Sequence, residues 1–328
     1  MKTQLPIVRL EMLVRTEGPL QLPPYAGSML RGAFGHALMA LSPLPHSNEQ
    51  PCALRDTCAY CQVFATPALP EHSLQKFSQM PHPYVIEPPQ GGPIRLHAGD
   101  VFVFSLVLVG KALEHLPTII RAFERALRVG LGMEERQRTR CTLLGVRQEH
   151  CRSLLWQAGS NSPPLAPEIM LQPPMALGSE VTLHVTSPMR LQLHGQPVHV
   201  HALTARTLLI SLARRYQLML DVHCGSQAPQ LNFAELSAQA EAIRLTAKDM
   251  QWFDWKRFSQ RQQRAMKLGG LLGTIHLQGE LAPFSQLLHV GQWLHIGKGA
   301  TFGLGRYLLK MPQLPKNRTN ASTLTEVT

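Results

Sequence analysis

The segment VFVFSLVLV, from Val101 to Val109, is followed after a short gap by LEHLPTIIRAFERALRV, from Leu113 to Val129. A run of nine residues with a single polar member is typical of a buried strand. The second stretch repeats apolar residues at intervals of three and four, which predicts an amphipathic helix. Arg140–Glu149 reads as another strand. The centre of the first half of the chain is therefore predicted to be strand, helix, strand.

The preceding residues extend this unit toward the amino terminus. Apolar and polar residues alternate from Leu5 to Leu13, which favours a strand, and Gly27–Leu41 is typical of a helix with one apolar side. Gly32 and Gly35 weaken that helix, so we expect a neighbour to approach its backbone closely. Residues 42–99, rich in Pro and Gly, read as a long insertion. Strand, helix, insertion, strand, helix, strand is the order of a ferredoxin-like domain.

A proline-rich linker, Pro163–Pro174, separates this first domain, residues 1–160, from a second domain at residues 175–312. The predicted elements of the second domain are a hairpin of Glu180–Val185 and Met189–Leu193 around Ser187-Pro188, a helix at Ala202–Leu220, a strand at Gly270–Leu281, a helix at Pro283–Val290 and a strand at Gly305–Leu309. The polar residues 313–328 read as a disordered tail. The predicted fold class is α+β, with two tandem ferredoxin-like (RRM-like) domains and a Cys-containing loop insertion in the first.

Positive charge is concentrated near the carboxyl terminus. The chain has 32 Lys+Arg against 21 Asp+Glu, a net charge of +11, and a pI near 9.7. Residues 251–328 hold ten Lys/Arg and three acids, which is +7 of that total. This distribution favours a polyanionic partner over an acidic small molecule, although a solvated basic surface without a partner would look the same.

The amino terminus alternates apolar and charged residues and lacks the apolar core of a signal peptide. The longest apolar run, Val101–Val109, is shorter than the roughly 18 residues that a membrane span requires. We therefore expect a cytoplasmic protein with no membrane partner. In such a compartment the six cysteines are expected as metal ligands or free thiols, not as disulfides.

The strongest local motif is HIGKGATFGLGRY, from His295 to Tyr307. It holds four glycines in nine residues, a composition that lets backbone N–H groups approach phosphates while Lys298 and Arg306 supply charge. A nucleotide P-loop would need a lysine directly after its second glycine, and Lys298 precedes it here. The motif thus predicts an anion-binding loop, with a glycine-rich turn that binds nothing as the alternative.

Three stretches together resemble a known family: RFSQRQQRAMKLGGLLG at Arg257–Gly273, the HIGKGATFGLGRY motif, and MLRGAFGHAL at Met29–Leu38. They resemble the CRISPR-associated repeat-RNA (pre-crRNA) processing endoribonucleases of the RAMP superfamily, and they flank nearly the whole chain. The resemblance implies two ferredoxin-like folds, RNA binding by the glycine-rich loop, and cleavage inside a CRISPR repeat by 2′-OH attack. It implies no cofactor for catalysis, products with 2′,3′-cyclic phosphate and 5′-OH ends, and contacts with other subunits of a CRISPR effector complex.

The resemblance and the basic bias together select the candidate RNA-binding residues. Arg257, Arg261 and Arg264 share one face if their stretch is helical, and a row of guanidinium groups can follow a phosphate backbone. A solvated helix face is the alternative. The full candidate set is Arg31, Arg257, Arg261, Arg264, Lys267, His295, Gly297, Lys298, Gly299, Gly303, Gly305 and Arg306. For His295, a hydrogen bond that supports the loop is as good an expectation as contact with RNA.

Cleavage without a metal needs a base for the 2′-hydroxyl proton and an acid for the leaving 5′-oxygen. In the family that the chain resembles, a histidine close to the first helix usually acts, often with a tyrosine. The matching region here offers Tyr25 before the helix, His36 within it and His46 just after it as catalytic candidates. A packed or solvated histidine without a catalytic role is the alternative for each.

Cys52, Cys58 and Cys61 form the second constellation, with three thiols in ten residues of the insertion. Three thiolates at this spacing can ligate one structural zinc, with His46, His72 or a distant cysteine as the fourth ligand. Ordinary free thiols are the alternative.

Three functions are compatible with these residues. The first is a metal-independent endoribonuclease, which needs a working histidine. The second is a non-catalytic crRNA-binding RAMP subunit, in which the same loop holds RNA and neither His36 nor His46 matters. The third is a zinc-stabilised adaptor for protein partners, which the charge near the glycine-rich motif disfavours.

Overall fold

The structure is a computed structural model that describes residues 5–46, 52–66, 81–91, 94–132, 138–169, 176–224, 229–259 and 264–310. At residues 248, 255–259 and 264–268 it describes the backbone alone. The tail predicted at 313–328 lies outside the described residues. Among the described residues, no helix combines the length and apolarity needed to cross a membrane.

The first domain consists of one five-stranded antiparallel sheet, two helices and a small strand pair. Its elements are β1 (Ile7–Thr16), β2 (Leu20–Leu22), α1 (Gly27–Ala40), β3 (Tyr84–Glu87), β4 (Ile94–Leu96), β5 (Val101–Val109), α2 (Leu116–Val129), β6 (Cys141–Gln148) and β7 (Leu154–Gln157). The strand order is β3-β5-β1-β6-β7, and β2 pairs separately with β4. The series β1, α1, β3, β5, α2, β6 is a ferredoxin-like unit with β7 added at one edge.

The sequence located most of this domain but missed its second strand. The strand expected at Val101–Val109 is present at those residues. Residues 84–87, which were expected to be part of the insertion, instead form β3, and Tyr84 pairs with Leu108 of β5. All four residues of β3 are buried, so they show no alternation, and the prolines on both sides made them read as a loop. The insertion is correspondingly shorter.

The second domain repeats the same arrangement. Its elements are β8 (Glu180–Met189), β9 (Gln192–Leu193), β10 (Gln196–Pro197), α3 (Ala205–His223), α4 (Phe233–Glu241), β11 (Arg244–Ser259), β12 (Arg264–Gln278), α5 (Ser285–Leu294) and β13 (Tyr307–Lys310). The antiparallel sheet has the order β11-β12-β8-β13. The chain is therefore α+β, with two tandem ferredoxin-like domains.

Two local predictions in this domain are wrong. The hairpin expected around Ser187-Pro188 is a single strand, β8, that runs through these residues to Met189. The stretch that would have been helical is a long hairpin, with Arg257 paired to Met266 and Ser259 paired to Arg264. The spacing of the arginines at intervals of four and three therefore does not place them on one face of a helix. Arg261 lies outside the described residues.

The two domains share an apolar boundary. The first core lies between the first sheet and helices α1 and α2, where the rings of Phe34 and Phe123 stack 4.6 Å apart. The second core fills the second domain and also takes in Ile7, Val85 and Val107 from the other face of the first sheet. A surface buried on both sides in this way fixes the domains against each other and positions whatever lies at their junction.

Candidate functional site

The glycine-rich motif forms a loop between α5 and β13 whose shape only glycine permits. Gly297, Gly299, Gly303 and Gly305 have φ values of 86°, 82°, 90° and 76°, in the left-handed region. At position 305 a Cβ atom would also overlap the carbonyl oxygen of Ile296, so no side chain fits there. The glycines are thus required by the backbone path of the loop itself.

Most amide groups of this loop are used inside the protein. Ile296 N–H donates to the Gly305 carbonyl at 2.9 Å, and Lys298 N–H donates to Arg190 at 2.8 Å. The amides of residues 302–305 also bond to backbone carbonyls. The expectation that these amides face phosphates is therefore wrong for this part of the loop. The exposed side chain of Lys298 is the cationic group that the loop offers.

The loop rests directly on the first helix of the other domain. The carbonyl oxygen of Phe302 lies where a Cβ atom of residue 27 would stand, so Gly27 lets the two backbones meet. On the next strand, a Cβ atom at Gly303 would lie 2.7 Å from the carbonyl oxygen of Ile86 in β3. The MLRGAFGHAL and HIGKGATFGLGRY motifs, from opposite ends of the sequence, therefore form one surface.

A buried polar network locks this junction. Glu87 of β3, with 2% of its side chain exposed, accepts hydrogen bonds from His295 Nε2 at 2.8 Å and Arg9 Nη2 at 3.0 Å. Arg9 also donates to Glu149 Oε1 at 2.8 Å and to the Gln292 carbonyl at 2.9 Å. Arg306 Nε lies 3.9 Å from the same Glu87 oxygen. The network joins residues of both domains beneath the glycine-rich loop.

His295 lies buried beneath the glycine-rich loop. Its side chain is 0% exposed, and its Nδ1 lies 3.1 Å from the carbonyl oxygen of Leu304. Of the two expectations for His295, this position favours a hydrogen bond that supports the loop over contact with RNA. Arg306 is turned toward the same network, with 21% of its side chain exposed.

The network also shifts the pKa values of Glu87 and His295. Burial alone would raise the pKa of Glu87, but the hydrogen bond from His295 and the charges of His295, Arg9 and Arg306 outweigh burial and hold this pKa at about 2. Burial lowers the pKa of His295, while Glu87 acts in the opposite direction. Since both ring nitrogens of His295 face oxygen acceptors, the two hydrogen bonds coexist only when the ring is doubly protonated.

Tyr25 lies at the entrance to α1, near the point where the loop meets the helix. Its ring meets that of Phe253 edge to face, with centroids 5.8 Å apart. Phe253 belongs to the β11 strand and is 41% exposed, and burial raises the pKa of Tyr25. Helix α1, the second-domain hairpin and the glycine-rich loop thus enclose a shared surface that carries Tyr25 and Lys298.

Arg31 is held one turn farther along α1. Its guanidinium lies over the Phe64 ring, 4.5 Å from the centroid, and its Nη2 is 3.3 Å from His82 Nε2. Burial and the nearby Arg31 charge lower the pKa of His82 to about 3, so its neutral ring accepts this bond. The close neighbour expected for the helix glycines is present at Gly35, where the Phe64 ring would overlap a Cβ atom, but not at Gly32. Arg31 is therefore fixed in position and half-buried.

The three catalytic candidates are not brought together. His36 is exposed on α1, nine residues beyond Gly27, which is about 13 Å along the helix axis. Tyr25 precedes the other end of the helix. His46 lies beyond the helix among the cysteines, where its ring nitrogens approach sulfur atoms. That position favours a ligand role for His46 over a catalytic one.

The cysteine cluster is compact. One ligand atom from each of His46, Cys52, Cys58 and Cys61 lies within 4.8 Å of every other. His46 Nε2 is 3.5 Å from Cys58 Sγ, and His46 Nδ1 is 3.9 Å from Cys61 Sγ. A tetrahedral zinc with bonds of about 2.0 to 2.3 Å would separate its ligand atoms by roughly 3.5 to 3.8 Å. The four residues could hold a metal ion.

Protonation in the cluster also fits a cation. Burial raises the pKa of the Cys61 thiol well above its usual value, and the neighbouring Cys58 and Cys52 sulfurs raise it further. Three adjacent sulfurs cannot all ionise cheaply without a positive ion between them. Of the fourth ligands that the sequence allowed, the structure brings His46 into place, and His72 lies outside the described residues.

The remaining RNA-binding candidates lie on the second-domain hairpin. Arg257, Arg264 and Lys267 belong to β11 and β12, and Lys267 pairs with Lys256 across the hairpin. These two strands extend beyond the end of β8, because β12 pairs with β8 only from Leu271 onward. The basic residues are therefore carried on a two-stranded extension near Phe253.

Sequence reasoning missed several residues of the site. Glu87 is an acid within the apolar stretch PYVIEPP, and an acid in such surroundings usually has a buried partner. Arg9 occupies the middle of a strand and offered the same signal. No sequence signal pointed to Phe64 or His82, because their importance depends on how the insertion folds back onto α1.

Comparison with known proteins agrees with this architecture. Residues 5–168 match a family model described as an N-terminal domain, and residues 183–307 match the model of the CRISPR-associated endoribonuclease Cas6. A solved Cas6 product complex is similar with a TM-score of 0.56 and 14% identity over 93% of this chain and 100% of the other. A solved structure of Thermus thermophilus Cas6 has a TM-score of 0.51 and 12% identity, and the match covers 94% of this chain and 100% of the other.

A third solved structure is larger. The chain is similar to part of a Cas6-RT-Cas1–Cas2 complex, with a TM-score of 0.54 and 15% identity over 94% of this chain and 46% of the other. At these identities the likeness to solved structures concerns the fold. A search among curated proteins gave no match.

The chain thus has two tandem ferredoxin-like domains with a glycine-rich loop at their junction. Residues 183–307, which include most of this loop's domain, match the family of the CRISPR-associated endoribonuclease Cas6.

Proposed function

We propose that this chain binds CRISPR repeat RNA across the junction of its two domains and cleaves it by attack of a 2′-hydroxyl on the adjacent phosphate. The observation that carries the proposal is the contact between Gly27 of α1 and Phe302 of the glycine-rich loop. This contact joins the helix that contains MLRGAFGHAL to the loop formed by HIGKGATFGLGRY, two of the three stretches that resemble the family. It also builds a surface beside which the chain concentrates its positive charge.

Charge and shape support an RNA strand on this surface. Lys298 is exposed on the loop, and Arg31 is held on α1. The hairpin adds Arg257, Arg264 and Lys267 within the region that carries +7 of the net +11. Cationic groups on three elements can contact successive phosphates, which gives affinity that falls steeply with salt. We expect the hairpin and the loop to hold opposite sides of the strand.

The chemistry requires no metal. A base takes the proton from the 2′-hydroxyl, its oxygen forms the new bond to phosphorus, and the bond from phosphorus to the 5′-oxygen breaks. The leaving oxygen takes a proton from an acid, which leaves 2′,3′-cyclic phosphate and 5′-OH ends. We assign His36 as the base, because it is the exposed imidazole on the helix that contains MLRGAFGHAL, and an imidazole can accept a proton from a hydroxyl group. Tyr25 precedes the other end of α1 and lies too far from His36 to act on the same phosphate, so the group that protonates the leaving oxygen is a separate one.

We further propose that the Cys/His cluster holds a structural zinc. Three thiols and one imidazole are the ligand set of a closed, four-coordinate zinc site with no open position for a substrate. The zinc would cross-link this part of the insertion beside Val63, which packs in the first domain's core. In the cytoplasm, where we expect this protein, thiols stay reduced and available.

A non-catalytic RNA-holding subunit is the second candidate, and one observation favours it. His36 lies nine residues after Gly27, the first residue of α1, whereas Tyr25 precedes the helix and contacts the Phe253 ring. A protein that only holds crRNA needs the loop and the hairpin but no paired acid and base. Such a chain would also contact other subunits of an effector complex.

The deciding experiment is incubation of the purified protein in EDTA with a labelled repeat RNA and with a copy that carries a 2′-deoxy nucleotide at the cut site. Cleavage of the first RNA alone supports 2′-hydroxyl attack. His36→Ala should then lose cleavage but keep RNA affinity. His97→Ala, which removes an exposed histidine outside α1 and the loop, should cleave normally. Tight binding of the repeat without cleavage would leave the RNA-holding subunit as the function.

A further inference from the structure

The cysteine cluster is joined to an aromatic row that runs toward α1. The His46 ring lies 4.6 Å from the Tyr60 ring, and Tyr60 stacks on Phe64 with centroids 5.6 Å apart. Tyr60 and Phe64 are the first and last residues of a π-helical turn, Tyr60–Phe64, that starts two residues after Cys58 and contains Cys61. Two thiols and an imidazole of the cluster therefore fix the position of this turn.

The far end of the turn supports Arg31. The Phe64 ring lies against the backbone of α1 at Gly35, in the space that a Cβ atom would fill. The Arg31 guanidinium then covers the ring, and His82 accepts a hydrogen bond from the same guanidinium. Phe34 meets Phe64 edge to face with centroids 6.1 Å apart. Arg31 is thus held by both Phe64 and His82, and it loses its aromatic contact when Phe64 moves.

We propose that the Cys/His cluster is a remote support of the RNA site, in which metal occupancy sets RNA affinity through Phe64 and its contact with Arg31. Phe64 is a positioning residue, because it touches Arg31 and not the RNA. The inference rests on the proposed function, in which Arg31 contacts the repeat RNA. It adds that the insertion regulates this contact from outside the RNA surface.

The physical reason is the position of the cluster at one end of the described part of the insertion, residues 52–66. The cluster cross-links this part to His46, and Val63 in the same π-helical turn lies in the first domain's core. Without the metal the cross-link is lost, Phe64 moves from Gly35, and the guanidinium loses its aromatic contact. Val63 and the rest of the core stay in place, so the fold persists while one phosphate contact weakens.

The test combines metal removal with a substitution that displaces Phe64 without touching a ligand. In Gly35→Ala the new methyl group overlaps the Phe64 ring, whereas in Gly32→Ala, one turn away, the methyl group meets no atom within 4 Å. RNA affinity is measured for each protein with and without zinc, over a range of salt concentrations. Phe64→Leu, which keeps an apolar side chain but removes the ring, serves as a second displacement. Circular dichroism and metal content accompany each measurement.

We expect zinc-free wild type, Gly35→Ala and Phe64→Leu to bind RNA roughly tenfold more weakly than loaded wild type, since a desolvated cation–π contact is worth on the order of 1 to 2 kcal/mol. The slope of log affinity against log salt should fall by about 0.9, the loss of one phosphate contact. Removing zinc from Gly35→Ala should add no further loss, because both changes break the same path. Gly32→Ala should follow wild type.

Three outcomes overturn the inference: additive losses, equal losses in Gly32→Ala and Gly35→Ala, or zinc-free wild type that binds RNA at full affinity. Failure of the proposed function is a different result, because loaded wild type would then not bind the repeat RNA. Since the readout is RNA affinity in folded protein, loss of the cleavage step alone changes none of these comparisons.

Discussion

Replacing Glu87 by Gln should destabilise the folded protein strongly. Glu87 accepts from His295 and Arg9 in a site where it is 2% exposed, with Arg306 nearby. Gln keeps the shape of the side chain but removes the charge that Arg9 and Arg306 face. Arg9 is buried and would keep Glu149 as a partner, but the loss of one charge from a buried ion-pair network is costly.

The size of the effect follows from the pKa of Glu87, which the folded protein holds at about 2 against an ordinary value of 4.5. At about 1.4 kcal/mol for each pH unit, this difference corresponds to about 3 kcal/mol of folding free energy. Because the folded pKa is depressed, this stability is fully present above pH 4.5 and is lost as the pH falls toward 2. At pH 3 about half of it should remain.

Urea unfolding followed by tryptophan fluorescence measures the effect, since Trp293 lies under Arg9 at the same junction, 5.3 Å from ring centroid to guanidinium. Glu87→Gln should lose about 3 kcal/mol at pH 7 and about half of that at pH 3. Glu149→Gln is the matched control, because it pairs with Arg9 near the surface at 16% exposure and should lose about 1 kcal/mol or less. Equal losses in the two variants, or a loss for Glu87→Gln that does not change with pH, would refute the reasoning.

Other predictions concern single contacts. Gly27→Ala should weaken RNA binding by pushing the glycine-rich loop off α1, as measured by RNA titration, and unchanged affinity would argue against the junction as the RNA site. Cys61→Ser should lower bound zinc well below one equivalent by metal analysis, while full retention would exclude this ligand. Arg257→Ala with Arg264→Ala should reduce the salt slope of RNA binding by about 2, and an unchanged slope would remove both from the interface. Thr204→Ala should cost about 1 kcal/mol in thermal unfolding, because its hydroxyl caps α3 by accepting from the Thr207 N–H, and a smaller effect than 0.3 kcal/mol would contradict the cap.

The fold could be predicted where hydrophobic periodicity is strong. The nine-residue strand Val101–Val109 and the helix after it are present, and both ferredoxin-like domains follow from the element order. β3 was missed because a short strand buried on both faces shows no period. The β11–β12 hairpin was missed because propensity does not distinguish a long hairpin from a helix when charged residues recur at intervals of three and four.

The site was predictable as a set of motifs but not as a geometry. The spacing of the loop glycines and of the three cysteines identified both motifs in the sequence. His46 was one of the candidates for the fourth metal ligand. The role of His295 could not be settled from sequence, because its partner Glu87 lies 208 residues away and only the folded chain brings them together. Long-range partners of this kind are what a pattern of local residues leaves out.

The contact between Gly27 and Phe302 has a consequence for the synthesis of the protein. The two residues are 275 positions apart, from 27 to 302, so the helix emerges from the ribosome long before the loop that completes its surface. At about 5 to 20 residues per second, α1 waits roughly 14 to 55 seconds for that partner. During this interval the first domain can fold around its own core, but it presents only half of the junction. On the proposed function, a chain released before residue 302 would lack the loop side of the RNA site, so only completed chains would bind the repeat RNA.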